Sequence, residues 1–348
     1  MRRVSQHRHG HQTRCGAGLA MKDFAYAAPT SLEQASRLAA SRPDAMFVAG
    51  GTTVVDLMKE GVLAPNLLID LNRLPLRDTV VSGGSIVVGT LVTMSALARH
   101  PAIRSRFPML AEALLAGASG QLRNMATVGG NLLQRTRCPY LRDLSVPCNK
   151  RVPGSGCQAI GGIDRFHAVL GTTDRCIAVY PSDAATALTA LDAVVVVHRN
   201  GRSRRVPLTE LHLAPAVAAR ETILEQGDVI TGIVLRDVPE ARRASYVKVR
   251  DRATYAFGLA SAAAGLDLDD DGRTIRSARI ALGNIATRPW RATAAEAVLA
   301  GAQATRSAYE DAAEAALAGA VAGRRNGYKI GLAKGALVRA LETAASRP

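Results

Sequence analysis

No stretch of the chain reaches the roughly twenty uninterrupted apolar residues that a membrane-crossing helix needs, so a membrane span is excluded. Aromatic residues make up only 4% of the total. With no zinc finger, RNA-binding signature or aromatic-interleaved basic strand, nucleic acid ranks well below other anionic partners. There is no G-x-S-x-G elbow and no H-E-x-x-H helix, which removes Ser/His/Asp catalysis and zincin chemistry and leaves no residue assigned as catalytic. A G-x-G-x-x-G turn is missing too, so a nicotinamide-binding Rossmann fold has no support. The five cysteines include no C-x2-C knuckle of the kind that zinc ribbons and bacterial ferredoxins use.

What is present is ordinary globular material: 348 residues, 48% hydrophobic and 21% charged, enough for two domains or one large one and incompatible with intrinsic disorder. The net charge of +15 points to an anionic partner such as a phosphate-bearing cofactor, an anionic cluster or an acidic protein. Four of those charges, Arg2, Arg3, Arg8 and Arg14, lie in the first twenty residues beside His7, His9, His11 and Cys15. That leader lacks the apolar core of an export signal, so its Arg2-Arg3 pair is a poor twin-arginine candidate. Residues 1–20 therefore read as a disordered leader or a misassigned start, because better patterning opens at Met21.

Periodicity gives an α/β alternation over 21–236. A capping box from Ser31 to Gln34 starts a helix, apolar runs at Ala45-Met46-Phe47-Val48 and Leu67–Leu71 read as strands, and Ser82-Gly83-Gly84 and Asn200-Gly201 read as hairpin turns. Pattern returns at Cys176–Tyr180 and continues through a helix at Asp183–Leu191 and a strand near Val229–Leu235. Asp237–Ala241, holding Pro239, reads as a linker. Strands at Ser245–Val249, Leu259–Leu268 and Ile275–Ile285 then precede helices starting near Ala292, Arg306 and Tyr328, so 243–348 is a C-terminal α+β domain.

Two segments have the composition of anion-binding turns: Met46-Phe47-Val48-Ala49-Gly50-Gly51-Thr52-Thr53-Val54, where a strand runs into Gly-Gly, and Thr127-Val128-Gly129-Gly130-Asn131. Between the second turn and residue 176 lies a long Pro- and Gly-rich loop carrying Cys138, Cys148, Cys157 and Cys176. Their spacing is C-x9-C-x8-C-x18-C. Four separate thiols, two disulfides, zinc and an iron–sulfur cluster all remain open on that spacing. Arg135, Arg137, Arg142, Lys150 and Arg151 surround them, either as a solvated basic loop or as cations that favour the reduced state of an anionic cluster. His167, inside the loop, reads as a structural hydrogen-bonding residue.

Taken in order, Met46–Thr52, Gln121-Leu122-Arg123-Asn124-Met125-Ala126-Thr127-Val128-Gly129-Gly130-Asn131, Pro181-Ser182-Asp183 and Tyr246-Val247-Lys248-Val249-Arg250-Asp251-Arg252 resemble the FAD-binding subunits of the xanthine dehydrogenase family of molybdenum hydroxylases. The resemblance runs from about Met21 to the C-terminus. Arg135-Thr136-Arg137-Cys138-Pro139-Tyr140, the block from Pro147 to Cys157, and Cys176-Ile177-Ala178 narrow it to the FAD and [4Fe–4S] subunits of periplasmic aldehyde oxidoreductases. A related cluster-bearing loop occurs in the flavoprotein subunit of 4-hydroxybenzoyl-CoA reductase.

The resemblance implies a vanillyl-alcohol-oxidase-type (PCMH-type) FAD-binding domain of two α+β subdomains, followed by a CO dehydrogenase flavoprotein C-terminal-like domain. It implies FAD held by the backbone of Met46–Val54 and by Thr127, Val128 and Gly129, with Asn131 and Asp183 nearby and Lys248 close to the flavin. Thr53 departs from the Asn or Asp usual after Gly-Gly-Thr, a change that backbone donors do not feel. It further implies Cys138, Cys148, Cys157 and Cys176 as ligands of a [4Fe–4S] cluster in the loop at about 132–176. The implied partners are a large subunit carrying the molybdenum cofactor and a small subunit with two [2Fe–2S] clusters, in a heterotrimer or its dimer. Electrons would pass through FAD to an external acceptor. Cluster ligation by reduced thiols points to maturation in the cytoplasm, and the resemblance leaves two final compartments open, the cytoplasm or the periplasm by co-export on a partner's signal. The rival readings are an FAD subunit of another molybdenum hydroxylase acting on xanthine, CO or an aromatic acyl-CoA, a flavoprotein without the cluster, and a non-redox zinc-binding module.

Overall fold

The computed structural model describes residues 2–3, 21–217, 220–270 and 272–347. Three sheets follow one another along the chain, each with its own hydrophobic core. In the first, Ala25–Ala27, Leu67–Asp70 and Ala45–Val48 run parallel, and the helices Leu32–Ala40 and Val54–Lys59 make the crossovers. The capping box is realised: Ser31 Oγ accepts from the Gln34 N–H, and Gln34 Oε1 accepts from the Thr30 N–H. Arg2–Arg3 adds an antiparallel edge strand to Ala25–Ala27, while the rest of the expected leader, Cys15 and the three histidines included, lies outside the described residues.

The second sheet is antiparallel, in the order Thr79–Ser82, Ser85–Gly89, Val229–Arg236, Val194–Arg199, Arg202–Pro207. Asn200 and Gly201 both have positive φ, +50° and +75°, which is the backbone a tight two-residue hairpin turn requires. Helices Met94–Arg99, Pro108–Ala116 and Asp183–Ala190 cover this sheet and bury its apolar face.

The third sheet, Ala244–Val249, Ala260–Leu268, Ile275–Gly283 and Trp290–Arg291, is covered on both faces. Ala260, Ala262, Ala264 and Leu266 point toward the helices Thr293–Leu299, Arg306–Ala316 and Tyr328–Ala345. The alternate position Ala263 instead joins the core of the second sheet, beside Ala244, Tyr246 and Ala281. Small residues are needed there because the layers approach closely: a Cβ at Gly283 would sit 2.2 Å from Thr186 Oγ1. The last strand ladder of the second sheet ends at Arg236 and the third begins at Ala244, with a short 3-10 turn, Pro239–Ala241, between them. The expected α+β layering is what the structure shows.

Two local expectations differ. Thr127–Asn131, expected as a turn, opens the short helix Val128–Leu132, capped by Thr127 Oγ1 on the Gly130 N–H, and the helix Gly120–Met125 precedes it. Cys176–Tyr180 forms no strand, because its edge contacts are single hydrogen bonds, from Ala168 N to Ile177 O and from Tyr180 N to Ala286 O, rather than a ladder. Among the described residues no helix is long and apolar enough to cross a membrane.

Candidate cofactor cleft and thiol cluster

A cavity of about 1410 Å³ opens where the first two sheets meet the start of the third. The residues expected on sequence grounds converge on it. Met46, Phe47, Ala49, Gly50, Gly51, Thr52, Thr53, Val54, Thr127, Gly129, Asn131, Asp183 and Lys248 all line the cavity. Val48 and Val128 do not; Val128 is fully buried in the core of the second sheet.

The two glycine segments have different electrostatic characters. Among the described residues, the backbone N–H groups of Gly50, Gly51, Thr52 and Thr53 donate to no protein acceptor, and Gly51 has φ +72°. Consecutive unspent donors around a left-handed residue form an anion-binding nest. In the second segment, Val128 N–H donates to Val92 O, Gly129 N–H to Thr90 O, Gly130 N–H to Thr127 Oγ1 and Asn131 N–H to Thr127 O. The expectation that this turn also offers backbone donors to a phosphate is therefore corrected at Val128 and Gly129, whose N–H groups are taken by the Val92 and Thr90 carbonyls. Its role is shape. A Cβ on Gly50 would lie 1.9 Å from Met125 O, and one on Gly129 would lie 1.7 Å from Thr90 Oγ1, so the walls touch backbone to backbone. Such a cradle, tight behind and open in front with free N–H groups, fits a dinucleotide pyrophosphate.

Across the cleft, Ser182 caps the helix Asp183–Ala190 and donates its hydroxyl proton to Asn131 Oδ1 at 2.5 Å. Asp183, in the first turn of that helix, accepts from Lys248 Nζ at 2.7 Å and from Tyr246 OH at 2.5 Å. Lys248 also donates to Ala116 O. Side chains of the ion pair are only 4% and 6% exposed, so each charge depends on the other. Burial, reinforced by the Asp183 charge and hydrogen bond, raises the Tyr246 phenol well above its ordinary value, keeping it a proton donor.

The four loop cysteines are unpaired thiols that line one small cavity beside the cleft. Cys148 and Cys157 face each other across an isolated antiparallel bridge, and Cys138 Sγ lies 3.2 Å from His167 Nε2. The neighbouring Cys176 thiol holds Cys157 below its ordinary value and is itself pushed up, while burial raises Cys138 to about 11. Burial, with the Lys329 charge, also lowers His167, leaving a neutral ring at this sulfur. Among the described residues, no three or more His, Cys, Asp or Glu side chains converge on a point suited to a single metal ion. The thiols instead line one small shared space, a donor set of four sulfurs whose chemistry fits zinc and an iron–sulfur cluster alike.

The basic residues of the loop are neither freely solvated nor aimed chiefly at the thiols. Arg137 and Arg142 pair with Asp56, and Arg142 also with Glu60, tying the loop to the helix Val54–Lys59. Burial pushes Asp56 up, but the two guanidiniums outweigh it and hold the carboxyl below its usual range. Arg151 donates to the carbonyls of Tyr140, Leu141, Asp143 and Val146. Arg135 and Lys150 grip the two oxygens of Glu221 at 2.6 and 2.8 Å and hold it ionised despite burial.

Several of these residues gave no sequence signal. Glu221 sits in an aperiodic stretch, and Asp56 looks like an ordinary solvated helix residue. Lys329 was findable: it falls on the apolar stripe of its helix with Ala333, Ala336, Leu337 and Ala340, and it is buried there with Nζ donating to Asn284 O, His167 O and Phe166 O.

Comparison with known proteins gives a consistent picture. The family described as the FAD binding domain in molybdopterin dehydrogenase matches residues 22–236, and the CO dehydrogenase flavoprotein C-terminal domain matches residues 245–344. The aldehyde oxidoreductase FAD-binding subunit PaoB of Escherichia coli (strain K12) is 46% identical over 287 residues, covering 81% of this chain and 88% of that protein. The nicotinate dehydrogenase FAD-subunit of Eubacterium barkeri is 27% identical over 286 residues, covering 81% of each. Among solved structures, carbon monoxide dehydrogenase from Hydrogenophaga pseudoflava, in a form lacking the Mo-pyranopterin moiety, superimposes with a TM-score of 0.71 at 28% identity, covering 92% of this chain and 96% of that one.

Proposed function

The chain belongs to the family of FAD-binding subunits of molybdopterin dehydrogenases, and from that premise we propose that it is the electron-transferring flavoprotein subunit of a molybdenum-dependent aldehyde oxidoreductase that also carries a [4Fe–4S] cluster. The observation that carries the reading is the pairing of a nest of unspent amides at Gly50–Thr53 with four thiols around an adjoining cavity.

On this reading the Gly50–Thr53 amides hold the FAD pyrophosphate, and the backbone from Met46 to Val54 forms the wall behind it. Thr127, Gly129 and Asn131 shape the opposite wall. The Asp183–Lys248 pair fixes the third sheet against the cleft, and its ammonium would lie on the flavin side of bound FAD. Bound FAD supplies a group that accepts electrons singly or in pairs and passes them on. Cys138, Cys148, Cys157 and Cys176 hold the cluster, and the neutral His167 supports Cys138 by a hydrogen bond to its sulfur.

A large partner subunit bearing the molybdenum cofactor oxidises the aldehyde, and a small one with [2Fe–2S] clusters relays electrons to this chain. The similarity to PaoB, named as an aldehyde oxidoreductase subunit, favours an aldehyde substrate over the other substrates of the family. Cluster ligation requires reduced thiols, so assembly takes place in the cytoplasm, followed by co-export to the periplasm with a partner that carries the signal.

Anaerobic purification of the complex tests this. One FAD per chain is expected, with about four irons beyond those of the small subunit. Cys148→Ser should remove those irons and spare the flavin. Iron content unchanged by that substitution overturns the cluster assignment, and a complex without flavin overturns the whole reading.

A further inference from the structure

The cleft and the thiol cavity share a wall: Lys150, Cys176 and Ala178 line both. Lys150 Nζ pairs with Glu221 Oε1 at 2.8 Å, and Glu221 Oε2 accepts from Arg135 Nε at 2.6 Å. Arg135 and Glu221 also line the cleft. The Lys150 side chain is 11% exposed, so water screens its charge poorly. Arg137, Arg142 and Arg151, by contrast, are turned toward Asp56, Glu60 and the loop's own carbonyls.

We infer that Lys150 and Glu221 tune the reduction potentials of the flavin and the cluster in common, acting as one electrostatic control across the wall between them. The inference rests on the proposed presence of both centres. When one electron crosses the wall, one centre is oxidised and the other reduced by that electron, and no proton or further reactant is needed. A cation on the wall stabilises the reduced form on either side, and an anion destabilises it. A shared charge thus moves both potentials together. The driving force between them is preserved while the pair is set against the external acceptor. Neither residue is catalytic; both act through the field at the wall.

Redox titration of the holo complex, followed by visible and electron paramagnetic resonance spectroscopy, tests this after FAD and iron have been counted. Lys150→Met should make both centres harder to reduce, by about tenfold in each one-electron equilibrium, or about 59 mV. Glu221→Gln should move both the opposite way, and Lys150→Arg should leave both near their wild-type values. Opposite shifts from neighbouring substitutions are not what a general loosening of the loop produces. If Lys150→Met fails to load its cofactors, Glu221→Gln and Lys150→Arg decide the matter. Potentials that do not move, a shift at one centre alone, or shifts of the same sign in both neutralised variants overturn the inference. A wild-type complex lacking the extra iron overturns it together with the cluster assignment, a failure visible before any variant is titrated.

Discussion

A single methyl group added at Gly50 is expected to weaken FAD binding by prising the cleft walls apart. The new Cβ would lie 1.9 Å from Met125 O, 2.7 Å from Met125 C and 3.1 Å from Ala126 Cα. Ordinary contact begins near 3.4 Å, so the walls must part by roughly 1.5 Å. Backbone on both sides cannot swing away as a flexible side chain would. Ala126 is further held by its N–H to Leu122 O and by its carbonyl, which accepts from Met94 N–H at the start of the helix Met94–Arg99. Overpacking of this kind costs about 1–3 kcal/mol. If the strain is relieved by opening the cleft, the same energy appears in the dissociation constant as a loss of about five- to 150-fold. The assay is fluorescence titration of the flavin-stripped complex with FAD, alongside thermal unfolding with and without the cofactor. Gly51→Ala is the comparison: its strain is conformational, from φ +72°, with Val55 Cγ2 at 3.3 Å as its nearest neighbour, so it should lower stability without separating the walls. Wild-type FAD affinity and wild-type melting in Gly50→Ala would refute the reasoning.

Asp183→Asn should destabilise the protein by about 3–5 kcal/mol in denaturant unfolding, because it strands the buried Lys248 ammonium, and adding Lys248→Met should recover much of the loss. His212 supplies a pH dependence. Burial lowers it to about 4, outweighing the nearby Glu221 charge, which pulls the other way, and Arg288 adds to the lowering. Its Nε2–H donates to Leu132 O, and the buried Nδ1 has no partner among the described residues. The unfolded ring takes up a proton below about 6.5 and the folded ring only below about 4, so its contribution is intact above 6.5 and lost as pH falls through that window. That loss, of order 3 kcal/mol, should flatten in His212→Asn when unfolding is compared at pH 7 and pH 4.5. Lys329→Met should take the lysine donor from the buried Asn284 carbonyl and from the His167 and Phe166 carbonyls, cost about 1–3 kcal/mol, and speed tryptic cleavage at Arg165 in the neighbouring loop; unchanged melting and cleavage would contradict that role.

Local signals with their own chemistry were legible in the sequence. Ser31 with Gln34 marked a helix start, Asn200-Gly201 marked a hairpin, and the order of strands before helices marked the C-terminal layer. Residues of the cleft were legible as composition, since Gly50-Gly51 and the Thr127 turn read as close-approach backbone. Which of them still had hydrogen-bonding capacity was not. That depends on Val92 and Thr90, whose carbonyls reach the second turn only in the folded chain. The basic residues of the cysteine loop were visible as charge, but their partners Asp56, Glu60 and Glu221 lie more than sixty residues away, where no local pattern announces a contact. Cys176–Tyr180 had the hydrophobicity of a strand without a neighbouring ladder to join, a matter of tertiary supply rather than propensity.

Amide hydrogen exchange on the flavin-stripped complex, before and after adding FAD, addresses the central claim most directly. The N–H groups of Gly50–Thr53, which have no acceptor among the described residues, should exchange rapidly without FAD and slow markedly with it. Those of Val128–Asn131, already bonded within the protein, should change little. Slowing confined to Val128–Asn131, with Gly50–Thr53 unaffected, would contradict the account.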